Sequence, residues 1–409
     1  MKLSRWNLGP RLSSVSWFFI ELFTLITVFF LPFSKSVADS AVTVALVLWI
    51  LRKFPWNEAF PKLSPHLIAY SLFLAAAALS FFQISPDLRL TALHGVLKWV
   101  QYFGIFFMGF EFFEKPTRTE RLLLVFTVSL ALVCINGFWQ FWHGVDLVKH
   151  YTADVPGRFV RMRSTFGSPN DLAAFLLLAL PPAFFFWMRE KTWSPRGVAR
   201  LFVFTLFGVS FLLTLSRSAF FALLVSIALY AAVRNKKILV PVLAAPLLLL
   251  ASPTLWQNFF SSLNPKDITI GERLRFWETT WKMIQEHPFL GNGINTYYLK
   301  FASFAPAAET YRGYAHNCYL QLWSEVGLFG LLAFLVPFAA LIPQWLFQKG
   351  AEDKEILLKH VVGVSVTAFL IQSFFDTNFF ALQSAMLFWL FWALKVRLAQ
   401  SGVKLLSFH

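Results

Sequence analysis

Several side chains capable of chemistry stand at the edges of long apolar runs in this chain. In "GYAHNCYLQLWSEVGLFG" (313–330), His316 and Asn317 come immediately before such a run. Asparagine alone would serve as a helix N-cap, so the histidine is surplus to capping. As a residue type, histidine is largely neutral near pH 7 and can act as a base. In "LTLSRSAFFALL" (213–224), Arg217 lies in a serine-flanked hairpin between two apolar segments with no acid nearby in sequence. A guanidinium in that setting calls for a phosphate or carboxylate partner. Further arginines cluster in "GRFVRMRSTFGSPND" (Arg158, Arg161, Arg163) and in "ERLRFWETTWKMIQEHPFLGNGINTYY" (Arg273, Arg275). Taken singly, Arg158, Arg161 and Arg275 have an ordinary alternative, which is snorkelling to lipid headgroups.

The elements that must carry these residues follow from composition. With 57% hydrophobic and 14% charged residues and a mean hydropathy of +0.60, the chain reads as an all-α integral membrane protein. About twelve stretches are apolar enough for transmembrane helices: 15–33, 37–51, 66–83, 90–112, 120–141, 169–187, 197–215, 218–234, 238–252, 318–345, 356–375 and 378–396. The whole of 1–409 is expected to form one polytopic membrane domain, with 253–317 inserted as a large helical periplasmic loop between spans 9 and 10.

Basic residues recur on every second flank, as in Arg52, Lys53 and Lys62, then Lys115, Arg118 and Arg121, then Lys395, Arg397 and Lys404. This places both termini in the cytoplasm. The arginines outside this pattern crowd the opposite face, where a positive surface needs an anionic partner. A net charge of +15 would point to nucleic acid in a soluble chain, but here the placement of the charges outweighs their sum, and no nucleic-acid partner is expected.

In the large loop, Phe276, Trp277, Trp281 and Ile284 fall near helical spacing, which predicts a helix lying in the outer interface with its apolar face down. Pro288 stops it, and Gly291 and Gly293 allow a tight turn. The outer loops show no DxD, HExxH or clustered carboxylates, only scattered acids such as Asp39, Asp87, Asp146, Asp154, Glu272 and Asp376. Cys134 and Cys318 have no metal-ligand spacing. Neither a metal nor a cofactor is expected. Glu21, His94 and Lys98 lie within spans and raise a transporter or lipid flippase as a rival reading.

Four stretches, "RSTFGSPNDLAAFLLLALP" (163–181), "LTLSRSAFFALL" (213–224), "RLRFWETTWKMIQEHPFLGNGINTYY" (273–298) and "HNCYLQLWSEVGLFGLLAFL" (316–335), together resemble the bacterial O-antigen ligase and polymerase superfamily. The resemblance implies a GT-C-like glycosyltransferase that needs no metal and works on the periplasmic face of the inner membrane. It would take a glycan from undecaprenyl pyrophosphate and join it to an acceptor hydroxyl, most like the ligase, whose acceptor is lipid A-core. The polymerase and the protein O-oligosaccharyltransferase of the same superfamily are the alternatives. Carried onto this sequence, the resemblance implies catalytic roles for His316, Arg217 and Arg273, the last with Trp277 four places on. It implies substrate-binding roles for Arg163, Asn170 and Asn317, and leaves the neighbouring Arg158 and Arg275 as further binding candidates.

Overall fold

The structure is a computed structural model that describes residues 10–53, 64–154, 160–191, 193–234, 268–305, 313–339 and 354–400. Among these residues it is all-helical, with no strand beyond two isolated bridges in the 145–161 loop. The helices are α1 (Pro10–Phe30), α2 (Lys35–Lys53), α3 (Ser64–Leu79), α4 (Arg89–Phe112), α5 (Pro116–His143), α6 (Pro169–Met188) and α7 (Pro195–Leu213). They continue as α8 (Arg217–Arg234), α9 (Ile268–Glu286), α10 (Tyr297–Phe304), α11 (Cys318–Ala339), α12 (Lys354–Gln372) and α13 (Leu382–Ala399).

Local sequence sets the helix ends. Pro116, Pro169 and Pro195 open α5, α6 and α7, where a missing N–H costs nothing, and the hydroxyls of Ser168 and Ser194 accept from the first-turn amides of Asp171 and Gly197. Gly144, at φ 80°, closes α5 in the left-handed conformation that glycine adopts without cost.

Among the described residues, six helices are long and apolar enough to cross a membrane: those over Pro65–Gln83, Pro116–His143, Pro169–Met188, Pro195–Leu213, Cys318–Ala339 and Leu382–Ala399. Three shorter apolar helices cover Ser16–Phe30, Arg217–Val233 and Leu357–Gln372. The expected count of about twelve is therefore not reached among the described residues. Two of the expected spans became helices carrying internal charge, with Asp39 in α2 and Lys98 and Glu111 in α4, which lowers their hydropathy. The expected span 238–252 lies outside the described residues. Large apolar side chains such as Phe18, Leu67, Leu124 and Phe202 are more than half exposed, as suits a surface facing lipid tails.

Helix α13 is the axis of the bundle. Trp389 and Trp392 are among its fully buried side chains, and they pack with Tyr70, Phe106, Phe338 and Phe388 from α3, α4, α11 and α13 itself. The indole N–H of Trp392 donates to the Tyr70 hydroxyl at 2.9 Å, so the polar tips inside this aromatic core satisfy one another.

The charges inside the helices are paired. Lys98 bonds Asp39 at 2.8 Å, while Glu21 meets Arg121 at 2.7 Å and Arg118 at 3.6 Å. These local pairs account for Glu21 and Lys98 without a transport pathway.

Ion pairs and hydrogen bonds between distant helix ends gather them into two groups, one at each pole. At one pole Arg118 and Arg121 meet Glu21, Lys53 meets Glu111 and Arg397 meets Glu114. The other pole is laced by long-range hydrogen bonds. Thr165 donates to the Pro32 carbonyl, Gln383 to the carbonyls of Leu31 and Pro32, Met162 N–H to Leu213, and Cys318 N–H to Ser373. Arg161, Arg163, Asn170, Arg217 and His316 stand in or beside the segments joined at this second pole.

Candidate active site

The site is assembled from five helix ends. Asn317 caps α11, its side-chain oxygen accepting from the amides of Tyr319 and Leu320 at 3.0 and 3.1 Å. Capping is thus complete without His316, whose backbone sits at φ 49°, a left-handed conformation that is costly for a residue with a Cβ. Its ring is 30% exposed, and Nδ1 lies 3.4 Å from Oδ1 of Asp376 in the turn between α12 and α13. Phe276 of α9 lies nearly parallel to the ring at 6.0 Å.

The second oxygen of Asp376 is buried with no hydrogen-bond partner, while the first also accepts from Thr377 N–H. Burial works to raise this carboxyl. The hydrogen bond and charge of His316, with the charge of Arg273, outweigh it and hold Asp376 below its ordinary range. An ionised carboxylate can only accept, so Nδ1 is the donor toward Asp376 and Nε2 is the nitrogen left to exchange a proton.

Three arginines surround this pair. Arg161 is fixed by three contacts: Nε to the Thr214 carbonyl at 3.0 Å, Nη2 to the Asn170 side chain at 3.0 Å and Nη1 to Asp154 at 3.4 Å. Its pKa is lowered, first by burial and then by the nearby positive charges of Arg217 and Arg273, against the opposing pull of Asp154 and Asp376. Arg161, Arg217, Arg273 and Asp376 therefore share one electrostatic neighbourhood. Arg217 opens α8 and Arg273 lies in the second turn of α9, and both are half-buried. Three guanidinium groups together are suited to a ligand bearing more than one negative charge, which each planar fork can grip through paired hydrogen bonds.

The reading from sequence thus met the structure unevenly. His316, Arg217 and Arg273 come together. Arg161, which the sequence leaves between headgroup anchor and anion ligand, joins them, and Asn170 serves it as a positioning acceptor. Arg163 is held by other partners, with Nη1 on the Gly167 carbonyl at 3.1 Å and the guanidinium 4.8 Å above the Tyr151 ring. Arg275 is exposed on α9, two residues and about 200° around the helix from Arg273. Asn317 is buried in its cap. Arg158 lies outside the described residues. Asp376 was one of several scattered acids in the sequence, and nothing local marked it as the partner of a histidine 60 residues earlier.

Helix α9 does not lie with its apolar face turned to an interface. That face, formed by Phe276, Thr280, Met283 and Ile284, is buried, with Phe276 stacked edge-on to Phe301 of α10 and Thr280 bonded to the Tyr297 hydroxyl at 2.7 Å. Trp281 remains 46% exposed against Trp323 of α11. The loop after α9 crosses α11 backbone to backbone. Gly291 (φ 75°) lies against Glu325, and Gly327 (φ 70°, at the kink in α11) lies against Phe289, with no room for a side chain at either glycine. Glu325 accepts from Asn295 N–H at 2.9 Å and holds the loop there.

The described residues thus hold six helices long and apolar enough to cross a membrane and a histidine–carboxylate pair beside an arginine cluster. Residues 201–335, about a third of the chain, match the O-antigen ligase family. The match spans Arg217, Arg273, His316 and Asn317, whereas Arg161, Asn170 and Asp376 fall outside it. No curated protein matches the chain.

Proposed function

We infer that the protein is an O-antigen ligase, a metal-independent inverting glycosyltransferase of GT-C-like architecture. It moves O-antigen polysaccharide from undecaprenyl pyrophosphate to a sugar hydroxyl of lipid A-core, at the periplasmic face of the bacterial inner membrane. The observation that carries this reading is the placement of His316, oriented by Asp376, beside Arg161, Arg217 and Arg273. In the reaction, the acceptor oxygen bonds to the anomeric carbon as its proton passes to Nε2 of His316. The bond from that carbon to the pyrophosphate oxygen breaks, and its electron pair leaves with the pyrophosphate. Negative charge grows on the leaving group, and the arginines, already in place, stabilise it without reorganisation. They supply the positive charge that a metal ion provides in metal-dependent glycosyl transfer. Base catalysis contributes roughly 10²- to 10⁴-fold. Displacement with base and leaving group on opposite sides of the anomeric carbon inverts it.

The polymerase and the protein O-oligosaccharyltransferase share the donor chemistry, and the acceptor separates them. The test is transfer in detergent with EDTA present, using undecaprenyl pyrophosphate-linked glycan as donor and lipid A-core as acceptor, for wild type and His316→Ala. Lipid A-linked product that disappears in the variant, while donor still binds, supports the ligase. Longer lipid-linked chains without acceptor indicate the polymerase, and unimpaired transfer by the variant removes His316 from the chemistry.

A further inference from the structure

A second group of cations lies at the same pole and takes no part in the reaction described above. Lys149 donates from Nζ to the Thr165 carbonyl at 2.7 Å and lies 5.6 Å from the Tyr151 ring, with Arg163 4.8 Å from that ring. Thr165 is tied through its hydroxyl to Pro32, three residues before the exposed Lys35 at the start of α2, and Lys35 and Lys149 feel each other's charge. Tyr151 itself is 36% exposed.

These cations stand on a rigid base. The buried Gln140 of α5 accepts from the amides of Arg163 and Ser164, fixing Ser164 at φ 50°, and the buried Asn136 donates to the Ser164 hydroxyl at 2.9 Å. Snorkelling to headgroups requires only a flexible side chain, not a pre-built platform.

Two acids are near, and both have other duties. Asp146 accepts from the amides of Val148, Lys149 and Tyr151 and from Asn136, which folds the loop. Asp171, which feels Lys35, sits in the first turn of α6 beside its Ser168 cap. The Nε of Arg163 is buried with no partner. The pKa of Lys149 is lowered, first by burial and then by Lys35, against the opposing charge of Asp146.

We propose that Lys149 and Arg163, which flank Tyr151, form with the neighbouring charge of Lys35 a second anion site that binds a phosphate monoester carried on the membrane-anchored glycolipid acceptor. The proposal rests on the transferase reading above and adds a division of labour to it. The donor's pyrophosphate goes to Arg161, Arg217 and Arg273, and the acceptor is recognised by its own phosphate a short distance away. Each lipid then carries an anchor that the other's site does not duplicate, so the two do not compete while both present their reacting groups to His316.

The test titrates the purified full-length protein in neutral detergent with lipid A, with lipid A stripped of its phosphates, with phosphatidylglycerol and with undecaprenyl pyrophosphate. Wild type is compared with Lys35→Gln and with the pair Lys149→Ala/Arg163→Gln, each checked for thermal stability. The expected result is a roughly tenfold preference of wild type for phosphorylated over stripped lipid A, lost in both variants while undecaprenyl pyrophosphate binding is kept. Should the double variant fail to fold, Lys35→Gln decides alone, since Lys35 is exposed. The proposal is overturned by a preference that survives the substitutions, by equal binding of phosphatidylglycerol, or by variants that lose undecaprenyl pyrophosphate instead. Transfer assays separate the two readings. Phosphate-dependent binding without any transfer removes the transferase and keeps the site, whereas transfer to stripped acceptor at unchanged KM removes the site and keeps the transferase.

Discussion

The indole N–H of Trp277 donates to the carbonyl of Ala315 at 3.0 Å, one residue before His316, while its ring meets Phe374 at 5.7 Å, two residues before Asp376. One side chain of α9 thus touches both chain segments that deliver the histidine and its carboxylate, and Arg273 lies one helical turn before it. Trp277→Phe removes the hydrogen bond and keeps an aromatic ring. The expected outcome is a kcat lower by roughly tenfold, with donor binding unchanged, because a net hydrogen bond of about 1 kcal/mol now fails to position His316. Steady-state transfer kinetics beside a donor-binding titration check this, and an unaltered kcat would remove Trp277 from the positioning chain.

Asp376→Asn tests the orientation of His316 directly. The amide can offer an N–H to Nδ1 and so stabilise the wrong tautomer, which predicts a loss of transfer of about 10²-fold or more, within the range that base catalysis supplies. Retained thermal stability together with retained undecaprenyl pyrophosphate binding identifies the loss as chemical rather than structural.

The same carboxyl makes a prediction about acid stability. Its folded pKa lies below the ordinary 3.8, so its contribution to stability is complete above that value and fades as pH falls through the folded pKa. Thermal unfolding in detergent between pH 5 and pH 3 should show an acid limb for wild type that flattens in Asp376→Asn, and identical limbs in the two proteins would contradict the assignment.

Lysine substitutions separate charge from geometry in the arginine cluster. Arg161→Lys, Arg217→Lys and Arg273→Lys keep the charge and lose the planar fork, and each should weaken pyrophosphate stabilisation by roughly tenfold in kcat/KM. Arg275→Lys, on the exposed side of α9, should change transfer little. A large loss there, with the other three unaffected, would reverse the assignment.

Gly327→Ala and Gly291→Ala should each cost several kcal/mol or prevent folding, since a Cβ at either position meets backbone and both residues hold φ near 70°. The yield of monodisperse protein and its melting temperature are the measurements.

Part of the candidate site was legible in the sequence. His316 declared itself because Asn317 was already sufficient as a cap, and the structure finds Asn317 doing that work. Arg217 stood out because its neighbours offered no acid. What could not be read was anything resting on a turn between distant helices. Asp376 acquires its meaning only when the end of α12 meets the start of α11, through Cys318 N–H on the Ser373 carbonyl. The choice between Arg161 and Arg163 was equally hidden, because the two are separated by one residue and only the positions of Thr214 and Asn170 distinguish them. Of the twelve expected spans, six meet the length and apolarity of a crossing helix among the described residues, with polar residues lowering α2 and α4, and for α9 periodicity shows an apolar face without showing that α10 covers it.

The hydrogen bonds at Pro32 bear on how the protein can be taken apart. Residues 201–335 look like a portable module by sequence, yet Arg161 and Asp376 come from outside that segment, and the tip of the first hairpin anchors both the 161–167 loop through Thr165 and the start of α13 through Gln383. Transplanting the central segment into another membrane scaffold would carry two arginines and a histidine without the parts that aim them, so chimeras between relatives should be joined at the opposite pole, where the helices end in local ion pairs.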